Sequence, residues 1–218
     1  MRVTKVDSCG NIVVGPGNMV VTDGFVSIAF SPETNEAEAI VVTNANGKTC
    51  AKDDGCPETT GFGVELTFCE VTPCLFSIIT GQPVVENADG EAVGFKMSTR
   101  TNACDSAFAL EVWSGVPGVA CGGGGGGSYG YILLPNLRAG TIGDFSVENA
   151  AISFVISGAM TQSTNGWGSG PYDVVGDATD MPSVLPDPLD PEDYLYLSWT
   201  SIEPPPNTDG CEDMVLPT

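Results

Sequence analysis

The segment GKTCAKDDGCPETTG, residues 47–61, concentrates residue types that bind metal ions or carry redox chemistry. Its two cysteines, Cys50 and Cys56, are followed along the chain by Cys69 and Cys74. The spacings C-x₅-C and C-x₄-C fit poorly with the knuckles of zinc ribbons, so a tetrathiolate zinc site is disfavoured. Two interpretations remain: a disulfide between Cys50 and Cys56 across the turn AKDDG, or free and mostly buried thiols, which the sequence favours.

Three further motifs suggest ligand chemistry, and each has a simpler interpretation. Asp53, Asp54 and Gly55 resemble a fragment of a calcium loop, but the alternating acids and the later glutamate are missing, which favours a solvated turn. The six glycines at 122–127 are followed by no Gly-Lys-Ser/Thr sequence, which favours a flexible surface loop over a phosphate loop. Trp167, flanked by glycines, is predicted to be an aromatic plug that closes a core or an interface.

Charge and composition exclude several classes of function. The chain has no histidine, which removes the usual general base and the commonest zinc ligand, so we predict no enzyme, no metal and no cofactor. Seven basic residues against 28 acidic ones give a net charge of −21, which disfavours binding to nucleic acid or anionic membranes. The N-terminal residues contain no apolar run, and no window of 18 apolar residues occurs, so we expect synthesis in a cytosol.

Alternating apolar residues and frequent turn residues predict a mainly β protein with one short helix. The segment TPCLFSIITG, 72–81, predicts that helix, with Thr72 as N-cap, Pro73 at the first position and Gly81 after the last turn. Strands are predicted around 18–33, 61–71, 82–101 with a turn at Ala88–Gly90, 106–115, 131–137 (YILLPNL), 143–160 and 194–202.

The proline- and aspartate-rich segment 176–193 marks a change in organisation. We predict one β domain over 1–175 and an extended C-terminal arm over 176–218, within which 194–202 returns as a strand. Because prolines cannot donate to a central ladder, the arm is expected to contact other subunits instead of joining the core.

In the order of these features, the chain resembles the major tail protein, or tail tube subunit, of long non-contractile-tailed bacteriophages of the type that infects actinobacteria. The segments that carry the resemblance are NEAEAIVVTNANGKTC, VELTFCEVTPCLFSIITG, YGYILLPNL, GTIGDFSVENAAISFVISGA and WGSGPYDVV, with EPPP near the end. Together they cover most of residues 20–206. The sequence departs from the family in its glycine run and in Cys74, where an acidic residue is expected after the proline.

The resemblance implies two packed antiparallel sheets, a β-sandwich or small barrel, with one helix. A long hairpin, at about 33–61 here, joins those of neighbouring subunits into an inner β-barrel around a lumen. Six subunits form a ring, and rings stack into a tube in the virion tail, assembled in the host cytoplasm. The implied partners are the tape measure protein, the tail terminator and tip proteins, and DNA in transit without specific binding.

The resemblance places the following residues on the lumen or rim as parts of the inner hairpin: Glu33, Glu36, Glu38, Lys48, Lys52, Asp53, Asp54 and Glu58. The implied function is structural, a conduit through which the genome passes at ejection. Two other classes stay open on the residues alone, a β-sandwich adhesion or binding module of a virion or cell surface, and an acidic calcium-binding protein.

Overall fold

The structure is a computed structural model that describes residues 1–115, 129–144, 154–162, 167, 172–179, 181–208 and 210–216. Three predicted features lie outside these residues: the glycine run, residues 145–153 of the predicted strand 143–160, and the glycines next to Trp167. The elements in chain order are β1 Arg2–Lys5, β2 Gly15–Val21, β3 Phe25–Asn35, β4 Ile40–Thr43, β5 Thr49–Asp53, β6 Glu58–Phe68, α1 Pro73–Thr80, β7 Val84–Glu86, β8 Ala92–Phe95, a 3₁₀ turn Ala103–Asp105, β9 Ala107–Gly115, β10 Tyr129–Arg138, β11 Thr141–Ile142, β12 Phe154–Thr161, β13 Val175–Gly176, β14 Pro182–Ser183, β15 Tyr196–Thr200 and β16 Glu212–Met214.

The mainly β, antiparallel class is confirmed, and α1 is the one α-helix among the described residues. Ten strands share one branched sheet with the order β16-β2-β1-β9-β10-β12-β6-β3, in which β11 pairs with β12 and β15 pairs with β10. Strand β15 branches from β10, because the first half of β10 pairs with β15 and its last residues pair with β12. The described strands do not close into a barrel, and the architecture is consistent with a β-sandwich.

The strand β9 is buried on both faces, which explains its nearly unbroken apolar sequence AFALEVW. Phe108, Leu110 and Val112 point into a first core beneath α1, as their alternation predicts. Ala109 and Trp113 point into a second core on the opposite face. The two faces of β9 are therefore covered by different segments, helix α1 on one side and C-terminal segments on the other.

Helix α1 forms where local chemistry predicts it. The Thr72 hydroxyl accepts a hydrogen bond from the backbone N–H of Leu75 at 3.3 Å, and Pro73 occupies the first turn. The helix ends at Gly81, whose φ of 71° is left-handed and costs glycine nothing. Its ring Phe76 stacks on Phe95 of β8, with ring centroids 3.8 Å apart.

The prediction that 176–193 and 203–218 do not join the core is wrong, whereas their contacts with other subunits stay a prediction. Leu185 and Met214 are buried in the second core, where Trp167 is buried beside them. Strand β16 pairs with β2, and β15 occupies part of the predicted strand 194–202. The prolines do keep 184–195 out of the ladder, but an extended path lets single apolar side chains reach into the core.

A disulfide joins Cys74 of α1 to Cys211, just before β16, with 5.4 Å between the two Cα atoms. The disulfide closes a loop of 137 residues and so lowers the conformational entropy of the unfolded chain. On the chain-entropy account this stabilises the folded state by about 5 kcal/mol. The alternative of a disulfide between Cys50 and Cys56 is not observed, and both are free thiols, as the sequence favoured, but exposed. Residues 51–53 continue as the extended strand β5, so Cys50 and Cys56 do not face each other across a turn.

The free thiols are also not buried, contrary to expectation. Five free cysteines are described, and all of them are exposed, namely Cys9, Cys50, Cys56, Cys69 and Cys104. Cys50 lies in strand β5, Cys104 in the 3₁₀ turn, and Cys9, Cys56 and Cys69 in connecting segments. The free cysteines therefore do not contribute to either core.

A buried ion pair ties the first strand to the centre of the sheet. Arg2 and Glu111 lie opposite each other on β1 and β9, and Nε and Nη2 of Arg2 donate to the carboxylate at 2.5 and 2.7 Å. The hydroxyl of Tyr131 donates to the same carboxylate at 2.7 Å. The guanidinium lies 3.2 Å from the ring centroid of Tyr172, which places a cation–π contact on its free face.

The ion pair shifts the pKa values of the buried groups around it. Burial alone lowers the pKa of Arg2, but the charge and hydrogen bonds of Glu111 outweigh it and hold that pKa above its ordinary value. Burial, reinforced by the charge of Glu111, raises the pKa of Tyr131 well above its ordinary value. At neutral pH Arg2 is therefore a buried cation, and Tyr131 is a neutral phenol that donates to Glu111.

We predict that Arg2→Met lowers the free energy of unfolding by about 3–5 kcal/mol, because it leaves the Glu111 carboxylate buried without its cation. Urea unfolding followed by fluorescence measures the loss. The exposed Arg100→Met is the matched control and should change stability by no more than about 0.5 kcal/mol. The double variant Arg2→Met/Glu111→Leu should recover much of the loss, and equal stability of the single variant and the wild type would contradict the assignment.

Candidate assembly interface

The outer halves of strands β3 and β6 extend beyond the body of the protein as a long two-stranded β-ribbon. Every side chain from residue 31 to residue 60 is exposed, and we call this segment the arm. Its stem pairs Ser31 with Gly63 through Asn35 with Glu58, and its tip is formed by β4 and β5. An isolated two-stranded ribbon is at best marginally stable in water, so the arm gains little stability from its own contacts.

The same two strands change from core to arm where their apolar alternation stops. In the body, Leu66 and Phe68 of β6 are fully buried, and Ile28 and Phe30 of β3 pack against them. Beyond Phe30 the alternating positions carry polar residues, so neither face of the stem has an apolar stripe to bury. The sequence pattern thus sets where the hairpin leaves the core.

The base of the arm is held by specific contacts with the body. The backbone N–H of Phe62 donates to Oγ1 of Thr161 at 2.8 Å, and the hydroxyl of Tyr194 donates to the carbonyl of Thr59 at 2.9 Å. The rings of Phe62 and Tyr194 meet edge to face, with centroids 6.3 Å apart. Gly61 permits this approach, since a Cβ there would lie 2.5 Å from Oγ1 of Thr161.

The tip combines a closed turn with exposed apolar residues. Oδ1 of Asn44 accepts hydrogen bonds from the backbone N–H groups of Asn46 and Lys48, both at 3.0 Å, and Gly47 adopts a left-handed φ of 75°. In the adjoining strand, Ile40, Val41 and Val42 are 64%, 50% and 52% exposed. Since successive side chains of a strand alternate between faces, Ile40 and Val42 give one face of the tip an exposed apolar pair and Val41 lies on the other.

The structure places all eight predicted lumen or rim residues in the arm, and all are exposed. Six carboxylates and two lysines give the arm a formal charge of −4. Lys52 pairs with Asp54, and the β4–β5 register puts Lys52 opposite Val41 and Asp53 opposite Ile40, on opposite faces of the ribbon. Their orientation toward a lumen depends on the assembled state and stays a prediction.

A second exposed apolar surface was not anticipated from the sequence. On β15 and the residue before it, Leu195, Leu197 and Trp199 share the outward face, and we call them the apolar stripe. Alternation in YLYLSWT predicted a strand but could not say which of its faces is covered. The stripe begins directly after Tyr194, so it lies next to the base of the arm.

Neither a metal-binding cluster nor a membrane-spanning helix occurs among the described residues. They contain no group of three or more cysteine, aspartate or glutamate side chains arranged to hold a metal ion. No helix within the described part of the chain is long and apolar enough to cross a membrane. The arm and the stripe are therefore the features that carry a functional argument.

Comparison with known proteins adds no assignment. No protein-family model matches the chain, and no curated protein matches its sequence.

We predict that the body folds without the arm. Asn35 and Glu58 are cross-strand partners, so replacing residues 36–57 by Asn-Gly should close β3 and β6 with a two-residue turn. The shortened protein should be soluble, with a free energy of unfolding within about 1 kcal/mol of the wild type, because the removed residues are all exposed. Calorimetry of both proteins below any assembly threshold makes the comparison, and loss of cooperative unfolding would contradict it.

Proposed function

We propose that this protein is the structural subunit of a bacteriophage tail tube, in which copies form stacked hexameric rings around a lumen. The observation that carries the proposal is the arm, a fully exposed ribbon that is rigidly based on the body and has no core of its own. The resemblance in the sequence points to the same segment as the inner hairpin. The proposed location is the virion tail, after assembly in the host cytoplasm.

Association of arms solves the physical problem that an exposed ribbon creates. Each arm presents unpaired backbone N–H and C=O groups along its edges, which in a lone subunit favour uncontrolled aggregation. Strand addition between neighbouring copies satisfies these groups and supplies affinity through main-chain hydrogen bonds. Closure of six copies around a ring removes the free edges, while head-to-tail stacking of rings remains open and makes a filament.

The charge of the arm suits a channel for DNA. Phosphate binding strengthens with every cation that a wall presents, because each neutralised phosphate releases a counterion. The arm presents two lysines among six carboxylates, and Lys52 is already paired with Asp54. A lumen lined by such arms repels the phosphate backbone, so that the genome passes without adhering. The tape measure, terminator and tip proteins are the further proposed partners.

The competing function is an adhesion or binding module, in which the arm would contact a foreign surface. That function requires no self-association. The two functions therefore differ in what the purified protein does at high concentration, and the arm is needed for assembly only in the first.

We predict that the concentrated wild-type protein forms rings or tubes in negative-stain micrographs, with sixfold symmetry in averaged end views. The variant with residues 36–57 replaced by Asn-Gly should remain monomeric under the same conditions, because it lacks the exposed ribbon. A variant with Glu86, Asp89 and Glu91 changed to glutamine controls for altered exposed acids outside the arm and should assemble. Monomeric wild-type protein, or tubes from the shortened variant, would overturn the proposal.

We predict that the triple variant Glu36→Lys, Glu38→Lys and Asp54→Lys still forms tubes but retains short duplex DNA inside them at low salt. The reason is the gain of three cations per copy on a wall that otherwise repels phosphate. Reconstruction of tubes incubated with DNA shows whether density fills the lumen. The control Glu86→Lys, Asp89→Lys and Glu91→Lys makes the same change in charge on the β7–β8 hairpin, and DNA inside those tubes would contradict the assignment of arm residues to the lumen.

A further inference from the structure

The apolar stripe contains the one tryptophan that the described part of the chain leaves exposed. Trp199 is 60% exposed and Leu197 is 57% exposed, whereas Trp113 and Trp167 are buried. The intervening residues Tyr196, Ser198 and Thr200 turn toward the body. Tryptophan is one of the residue types that dominate binding energy at the centre of protein interfaces.

The stripe extends the face of the sheet that covers the first core. Ile132 of β10 lies between Val112 of β9 and Leu197 of β15 in the strand register, so these three side chains share one face. Trp199 lies opposite Gly130, which has no side chain to cover the indole. A partner that covers the stripe therefore meets a continuous apolar surface and displaces water from the indole.

The strand that carries the stripe also has a free edge. Strand β15 pairs with β10 on one side, and no strand among the described residues pairs with its other side. A free edge beside an apolar stripe allows an added strand to gain main-chain hydrogen bonds and side-chain contacts together.

Acidic residues flank the stripe at both ends. Asp190, Glu192 and Asp193 precede it and Glu203 follows it, all exposed. The ion pairs formed by described residues are Arg2–Glu111 and Lys52–Asp54, so none of the flanking carboxylates is paired with a cation. The surface is thus an apolar centre with a negative rim, which selects an apolar strand accompanied by cations.

The tip of the arm has that complementary composition. Ile40 and Val42 supply exposed apolar side chains on one face of the ribbon, and Lys48 lies on the adjoining turn. Lys52, which is paired with Asp54, lies on the other face with Val41. Within one chain the tip and the stripe are both exposed, so they do not cover each other. We propose that the arm tip of one copy, residues 40–53, docks on the apolar stripe of a second copy. This inference rests on the proposed function and names the surface that receives the arm.

The position of the arm base fits this exchange between copies. Tyr194 fixes the base of the arm directly beside the start of the stripe through its contact with Thr59. Each copy therefore donates an arm and offers a stripe from neighbouring places on its surface. Because the donated and receiving surfaces differ, the contact is heterologous and continues from copy to copy until a ring closes.

The native thiol of Cys50, exposed on β5 in the arm, allows a direct test by crosslinking. In assembled protein, Leu197→Cys should form an intermolecular disulfide with Cys50 under mild oxidation, giving covalent dimers and a ladder up to the ring size. The matched control Leu197→Cys/Cys50→Ser should give none of this ladder. A ladder that persists in the control, or no ladder in the test variant, would overturn the inference.

Charge reversal gives a second, independent readout. Lys48→Glu/Lys52→Glu places like charges against the rim and should raise the critical concentration for assembly by about tenfold or more. Adding Glu192→Lys/Glu203→Lys should restore assembly, and the rescue pair alone should also weaken it. Failure of the rescue contradicts the docking even if the first variant is impaired.

Fluorescence of Trp199 separates this inference from the proposed function. Assembly should shift its emission to shorter wavelength, and Trp199→Phe should abolish the shift. If the wild type forms tubes but Trp199 stays water-exposed and no Cys50 crosslink forms, the docking is wrong and the tube function stands. If crosslinks form in dimers or irregular oligomers without any rings, the docking stands and the tube function fails.

Discussion

Burial of both faces of β9 is the constraint on which the rest of the body depends. A strand covered on two sides needs two covers, and the chain supplies α1 for one and the C-terminal segments for the other. The Arg2–Glu111 pair lies within this arrangement and fixes β1 beside β9, since a mispaired register would leave either charge buried alone. The disulfide Cys74–Cys211 then connects the two covers around the edge of the sheet.

The body and the arm are stabilised by different means, although they share strands β3 and β6. The inner halves of these strands contribute apolar side chains to the first core, whereas the outer halves have only each other. The contact between Phe62 and Tyr194 lies at the boundary between the body and the arm. An element that costs little stability when removed, yet is well positioned at its base, is typical of a surface kept for association.

Local chemistry allowed the helix, the β7–β8 turn and most strands to be predicted from the sequence. Thr72, Pro73 and Gly81 each satisfy a requirement of a helix end, and that requirement does not depend on distant residues. The Cys74–Cys211 disulfide could not be predicted in this way, because its partners are 137 residues apart and meet only in the folded chain. Burial of Leu185 and Met214 could not be predicted for the same reason. Proline content indicates an extended backbone but not which part of the fold that backbone packs against.

A chain with a net charge of −21 can associate with itself only if short-range contacts outweigh repulsion. Screening helps, since charges on exposed surfaces interact weakly beyond about 8 Å at physiological salt. The few cations are also unequally placed. Arg2 is committed to the core and Arg138 donates to the carbonyl of Ser8, whereas Lys48 and Lys52 lie at the far end of the arm. Backbone hydrogen bonds and apolar contacts must then supply the affinity, while the lysines select where along an acidic neighbour the arm can rest. In the proposed assembly, such a division would keep single subunits apart until the edges of their strands meet in register.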